Sequence, residues 1–229
     1  MKRQKKNYQE ILKIDHDHVD ATNNLGVVLI ELKDYQEAKI CLEKVIQINP
    51  KHEKAYNNLG SVLRELGDYQ KAKECHEKAI QLYPNYEKAH FNLGLLFEKL
   101  KEFKKAQSCY EKLIEINPGY VNTYNNLGNI LTKLEKNDEA ISCYKKAIQI
   151  KPNYAPAHYN LALILSELNH IHEAKKYYEK ALNLAPNKKE IFSGYGTLLL
   201  ELNQHIKALE YIRKAAGVIR FTQKDFKII

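Results

Sequence analysis

Apolar and small residues return along this chain at a fixed interval of 34 residues. With Val19 counted as position 1, positions 3, 4, 7, 8, 10, 11 and 14 are mostly apolar or small. At about 100° per residue they share one arc of a helix. Positions 17, 20, 24, 27, 28 and 31 define a second, less strict arc. The pattern predicts two amphipathic helices per period, joined by a short turn.

Fixed residues reinforce the period. Prolines stand at 50, 84, 118, 152 and 186, and alanines at 38, 72, 106, 140, 174 and 208. Leucines recur at 32, 66, 100, 134, 168 and 202, and glycine at 26, 60, 94, 128 and 196, with Ala162 in the remaining slot. Small residues at positions 8 and 20 let the paired helices approach closely. Asp34 and Asp68 sit where the second helix needs an N-cap. The Asn-Pro and Tyr-Pro pairs discourage helix beyond it.

The predicted units are 19–52, 53–86, 87–120, 121–154, 155–188 and 189–222. Ahead of them, in the segment 1–18, Asn7–Ile14 reads as a lone second helix, because Tyr8 and Ile11 fall at positions 24 and 27. No unit can bury its apolar face alone, so stability comes from stacking. The non-repeating tail 217–229 sets VIRF and FKII on either side of TQKD, which suggests a small hairpin. Such a hairpin could cap repeat six or open a further domain.

The pattern resembles the tetratricopeptide repeat family. Repeat two matches it with Tyr56, Leu59, Gly60, Leu63, Ala72, Ala79 and Pro84. The resemblance runs over 19–216. It departs at Thr22 in an aromatic slot, at His76 in an apolar one and at Arg220, where a sixth proline would stand. The period is one residue shorter than that of the RNA-reading pentatricopeptide family. The resemblance implies an all-α solenoid, a right-handed superhelix lined on its concave side by the first helix of each repeat.

On those first helices, positions 2, 5, 6, 9, 12 and 13 face away from the packed arc. Position 6 holds Asn24, Asn58, Asn92, Asn126 and Asn160, then Gly194. Asparagine is a mediocre helix former, and packing alone would not select it five times. Its amide carries donors and an acceptor, so it can pair with any peptide backbone. The series resembles the asparagine ladder of nucleocytoplasmic O-linked N-acetylglucosamine transferase, which implies an extended peptide held by its main chain. The competing reading is local bonding between neighbouring helices. Position 5 carries Asn23, Asn57 and Asn125, but Phe91 and Tyr159 in repeats three and five, where position 9 is Leu95 and Leu163. These i,i+4 pairs are candidate anchors for partner side chains, set against the ordinary occurrence of single apolar residues on surfaces. Lys54, Lys88 and Arg64 add basic groups to the central repeats. The family's carboxylate clamp needs Lys at position 5 of the first repeat and Arg at position 6 of the third. Asn23 and Asn92 stand there instead, so that activity is not implied.

Composition narrows the classes. Hydrophobic content of 44% and charged content of 28% suit a globular chain, and no apolar run is long enough to span a bilayer. The basic start lacks the apolar stretch of a secretory signal. The net charge of +8 raises the question of nucleic acid. The excess lies at position 26: Lys44, Lys78, Lys112, Lys146, Lys180 and Lys214. Lysine late in a helix suits the macrodipole and keeps the convex face solvated, which is the plainer account. Cys41, Cys75, Cys109 and Cys143 all occupy position 23. One slot recurring at repeat spacing exceeds the roughly 4.4–6.8 Å Cα separation of a disulfide, so thiols in a reducing, cytoplasmic compartment are expected.

No phosphate-cradling loop, nucleophile elbow or HExxH is present. His16-x-His18 and His170-x-His172 do not share a helix face, and read as solvated histidines rather than metal ligands. His90 and His158 fill the aromatic position 4. The sequence therefore predicts a non-enzymatic module without cofactor or metal, binding a protein or peptide ligand in its groove, with self-association left open. Rivals are the substrate-recruiting arm of a larger enzyme such as a glycosyltransferase, and an RNA-binding array using the lysine face.

Overall fold

The computed structural model describes residues 1–216 and, beyond them, the backbone of 219–221 and 226–228. Its helices follow the 34-residue period. The first helix of each repeat is α2 Val19–Glu31, α4 Glu53–Glu65, α6 Glu87–Lys99, α8 Val121–Lys133, α10 Ala155–Glu167 or α12 Lys189–Glu201. The second is α3 Tyr35–Ile48, α5 Tyr69–Leu82, α7 Phe103–Ile116, α9 Asn137–Ile150, α11 Ile171–Leu184 or α13 His205–Ala216. The preceding helix α1 spans Lys2–Ile14, five residues longer at its start than the apolar pattern indicates, because the lysine-rich opening continues the helix. There Lys5 Nζ reaches Glu37 Oε2 at 2.7 Å. The strands β1 Ile219–Phe221 and β2 Phe226–Ile228 pair antiparallel, with Arg220 opposite Lys227. The capping role envisaged for the tail depends on side chains outside the described residues.

The chain divides into two compact units, Met1–Pro118 and Gly119–Ile229. In each, the helices of a repeat pack as a pair, and second helices pack on the next first helix, as α3 on α4 and α9 on α10. The core follows the sequence spine. All six position-20 alanines have no exposed surface. The side chain at position 24 lies over the position-8 glycine of its own repeat. A Cβ on Gly94 would meet Tyr110 at 2.6 Å, and one on Gly128 would meet Tyr144 at 2.5 Å. The glycines are there for helix approach, as the pattern implies.

The turn inside each repeat has a feature the apolar pattern does not carry. Position 15 adopts positive φ in every repeat: Lys33, Gly67, Lys101, Glu135, Asn169 and Asn203, at 61°, 86°, 60°, 60°, 62° and 57°. Around it Lys101 N–H donates to Glu98 O at 3.0 Å and Glu102 N–H to Phe97 O at 2.8 Å. This is the 6→1 and 5→2 pattern of a Schellman C-cap. The carbonyls left open at the end of the first helix are thereby paired. Five of the six residues bearing the left-handed conformation have a Cβ.

Caps differ from repeat to repeat. Asp68 Oδ1 accepts from Lys71 N–H at 3.3 Å, whereas Asp34 makes no such bond and faces Lys5 at 3.7 Å. The first helices of repeats one and two use histidine instead: His18 Nδ1 accepts from Ala21 N–H at 3.3 Å and His52 Nδ1 from Ala55 N–H at 3.0 Å. His90 and His158 pack in the core, their Nε2 2.8 Å from the carbonyls of Pro84 and Pro152.

Candidate functional site on the first-helix face

The asparagines of positions 5 and 6 do different things. At position 5, Asn23, Asn57 and Asn125 are buried, at 7%, 3% and 6% exposure. The expectation that Asn57 and Asn125 face the groove is therefore corrected. Position 5 lies on the edge of the packed arc, and the next repeat covers it. At position 6, Asn58, Asn92, Asn126 and Asn160 are half-buried and Asn24 is exposed.

The two positions are joined from one repeat to the next. Asn58 Nδ2 donates to Asn23 Oδ1 at 3.2 Å, Asn92 Nδ2 to Asn57 Oδ1 at 3.0 Å, and Asn160 Nδ2 to Asn125 Oδ1 at 3.0 Å. A second acceptor comes from position 9 of the preceding repeat. Asn92 also donates to Ser61 Oγ at 3.3 Å and Asn160 to Asn129 Oδ1 at 2.9 Å. Both amide hydrogens of Asn92 and of Asn160 are thus occupied within the fold. Among the described residues, the Oδ1 atoms of Asn58, Asn92 and Asn160 have no hydrogen bond, and neither does any atom of the Asn126 side chain. Within each unit the ladder ties one repeat to the next and holds the amide oxygens of Asn58 and Asn92, or of Asn160, at fixed orientation.

Ser61, Asn129 and His76 are absent from the sequence-level site, yet they set its geometry. His76 replaces the leucine, tyrosine or isoleucine of position 24 and is fully buried. Its Nδ1 lies 3.2 Å from Asn57 Oδ1, which has no hydrogen to give, so Nδ1 is the protonated nitrogen. Nε2 is buried without a partner. Burial, and then the Arg64 guanidinium, hold the imidazole pKa down at about 3. The signal that could have found Ser61 and Asn129 is joint. Positions 5 and 9 are both polar in repeats two and four, and aromatic with aliphatic in repeats three and five.

The aromatic anchors are half-buried rather than free-standing. Phe91 packs 6.1 Å from the Tyr110 ring and Tyr159 6.1 Å from Tyr178. Leu95 is half-buried and Leu163 is 38% exposed. Lys54 and Lys88 are exposed; Arg64 is half-buried and pairs with Glu65 at 3.0 Å.

On the opposite face the position-26 lysines are engaged by their own neighbours. Lys44 Nζ meets His16 O at 2.6 Å and Asp17 Oδ1 at 3.1 Å. Lys78, Lys112 and Lys146 donate to Gln81, Glu115 and Gln149 at 2.9, 2.7 and 3.2 Å. Lys214 lies 4.9 Å from the Tyr211 ring centre. The four cysteines form no disulfide and are half-buried. Burial first, with nearby carboxylates, pushes the Cys75 thiol up to about 11 and Cys109 to about 12. Among the described residues no group of side chains could hold a metal ion, and no helix is long and apolar enough to cross a membrane.

Comparison with known proteins follows the same lines. Models described as tetratricopeptide repeat match residues 18–85, 51–119, 109–142 and 155–188, and one described as TPR repeat matches 128–169. None of these models is of an enzyme family. The chain has no match among curated proteins. Among solved structures it is similar to YrrB, described as a TPR protein with an unusual peptide-binding site, at 20% identity and a TM-score of 0.65, covering 86% of this chain and 97% of that one. It is similar to PilF of Pseudomonas aeruginosa at 19% identity and a TM-score of 0.77, covering 84% and 88%. MamA of Desulfovibrio magneticus RS-1 aligns at 22% identity and a TM-score of 0.67, covering 74% and 96%. At these identities the likeness concerns the fold.

Proposed function

Since the chain belongs to the tetratricopeptide repeat family, we propose that it is a protein-interaction module holding an extended segment of a partner along the first-helix face. The observation that carries this reading is the unpaired amide oxygens of Asn58 and Asn92 in the first unit and, in the second, that of Asn160 with the unbonded side chain of Asn126. Because Asn92 and Asn160 use both amide hydrogens within the fold, they act on a ligand as acceptors and take N–H groups from its main chain. Their orientation is fixed before binding, so they lose little freedom on association. The exposed Lys54 and Lys88 then favour acidic side chains, Arg64 being paired with Glu65, and Phe91 and Tyr159 favour apolar ones. The lysine face is a poorer site for nucleic acid than its charge suggests, because Lys44 and Lys112 are already paired with the carboxylates of Asp17 and Glu115.

An array of ten-residue peptides, probed with the full chain, tests the reading. A binding sequence is remade with N-methyl groups on alternate backbone nitrogens, and presented to wild type and to Asn126→Ala. Binding lost on methylation and weakened at least fivefold by Asn126→Ala, with an unchanged far-ultraviolet spectrum, supports the ladder. Equal binding of methylated and plain peptides refutes it.

A further inference from the structure

Tyr159 also lines a solvent-open cleft of about 190 Å³ on the second unit. Its origin is local to repeats five and six. Position 1 is Ala155 where the other repeats carry Val, Glu or Lys, and position 31 is Ala185 where Asn, Tyr or Lys stands in repeats one to four. Two walls are therefore cut back to a methyl group. Ile191, in the position-3 slot that is elsewhere Ala or Thr, supplies the third wall and is itself 4% exposed. Pro156 and the Tyr159 ring close the remainder. The lining is wholly apolar, so Lys188 and Glu190, which also border the cleft and are exposed, contribute their alkyl stems and keep their charges at the mouth.

We propose that this cleft is a side-chain pocket for one apolar residue, leucine- or phenylalanine-sized, of the bound segment. The proposal rests on the peptide-binding reading above. Size supports it: a closed apolar cavity of about 150 Å³ suffices to hold benzene. The mouth supports a residue within a peptide over a free hydrocarbon. On either side of any side chain, an extended backbone presents a carbonyl and an N–H. Here a cation, Lys188, and an anion, Glu190, border the same opening, matching those two dipoles. Asn160 follows Tyr159 directly on α10, which places the ladder and the pocket on one helix.

The test uses the full chain with ¹³C-labelled alanine and isoleucine methyl groups, titrated with N-acetyl-leucinamide, N-acetyl-lysinamide and toluene in separate series. The expected result is a saturable shift of the Ala155 and Ala185 methyls and of the Ile191 δ-methyl with N-acetyl-leucinamide, with a dissociation constant on the order of millimolar for so small a ligand. N-acetyl-lysinamide should move them at least fivefold less. Ala185→Leu, which fills the cleft, should abolish the response read at Ala155; Ala155→Leu, read at Ala185, provides the same check should the first variant unfold. Equal response to the lysine analogue overturns the proposal, and so does a response to toluene alone. The titration does not depend on the ladder. A silent pocket in a chain that binds peptides overturns the pocket alone, whereas a responding pocket in a chain deaf to peptides overturns the peptide-binding reading and with it the assignment of the pocket to a bound segment.

Discussion

Asn92 Nδ2 lies 3.0 Å from Asn57 Oδ1, an atom that His76 Nδ1 also approaches at 3.2 Å. One carbonyl oxygen thus ties α4, α5 and α6 together. Replacing Asn57 by alanine leaves the buried His76 N–H and one N–H of the half-buried Asn92 without their acceptor. Asn57→Ala is expected to destabilise the first unit by about 2–3 kcal/mol, since each orphaned buried group costs about 1–3 kcal/mol. Asn126→Ala, with no intramolecular bond to lose, should stay within about 0.5 kcal/mol. Urea unfolding of the two variants, followed by circular dichroism, makes the comparison.

Below neutrality His76 should dominate the pH response of the same unit. Its folded pKa is about 3, against about 6.5 in an unfolded chain. Between those values the unfolded state binds the extra proton. Stability therefore rises with pH through this window and is lost as pH falls below 6.5. Between pH 6.5 and 5 the expected loss is about 2 kcal/mol. His76→Leu, which restores the residue type of Leu42, should flatten the slope in that interval. Denaturation midpoints of both proteins at half-unit pH steps decide it; parallel slopes would reject the assignment.

Helix approach at Gly94 and Gly128 gives a third expectation. An added Cβ would stand 2.5–2.6 Å from a buried tyrosine ring, so either ring must shift. Gly94→Ala and Gly128→Ala should each destabilise by about 1–3 kcal/mol. Ala162 occupies the same slot in repeat five with no exposed surface, so the fold survives the substitution. Thermal melting should show lowered midpoints with helical content retained.

Glycine should help at position 15. Lys101 holds φ at 60°, and a left-handed conformation costs a residue with a Cβ about 1–2 kcal/mol. Greater freedom in the unfolded chain takes back about 0.4–1 kcal/mol. Lys101→Gly should therefore gain about 0.5–1 kcal/mol. The same change at Lys33 should act independently, and a double variant should show the sum.

The helical architecture was readable because its signals repeat. Position-20 alanines and position-8 glycines each recur at least five times, so a single irregular slot could not hide the period. The left-handed turn was not readable, because Gly67, Asn169 and Asn203 suit it but Lys33, Lys101 and Glu135 at the same position give no sign of it. The ladder was half readable. Its asparagines stood out at position 6, but their acceptors sit at positions 5 and 9 of the repeat before. Helix periodicity places residues on faces of one helix; it does not say which neighbouring helix covers that face. For that reason Asn57 and Asn125 read as exposed when the next repeat buries them. His76 read as a departure from an apolar slot, and nothing in its own repeat pointed to Asn92 as its companion through Asn57.

Every tie of the ladder spans 31 or 35 residues. Those spans have a kinetic consequence. The entropy lost in closing a loop grows with the logarithm of its length, and here that length is set by the repeat and not by the chain. Adding a repeat would therefore lengthen the molecule without slowing the search for any contact. Low contact order of this kind accompanies fast folding, so refolding from urea should proceed in milliseconds or less.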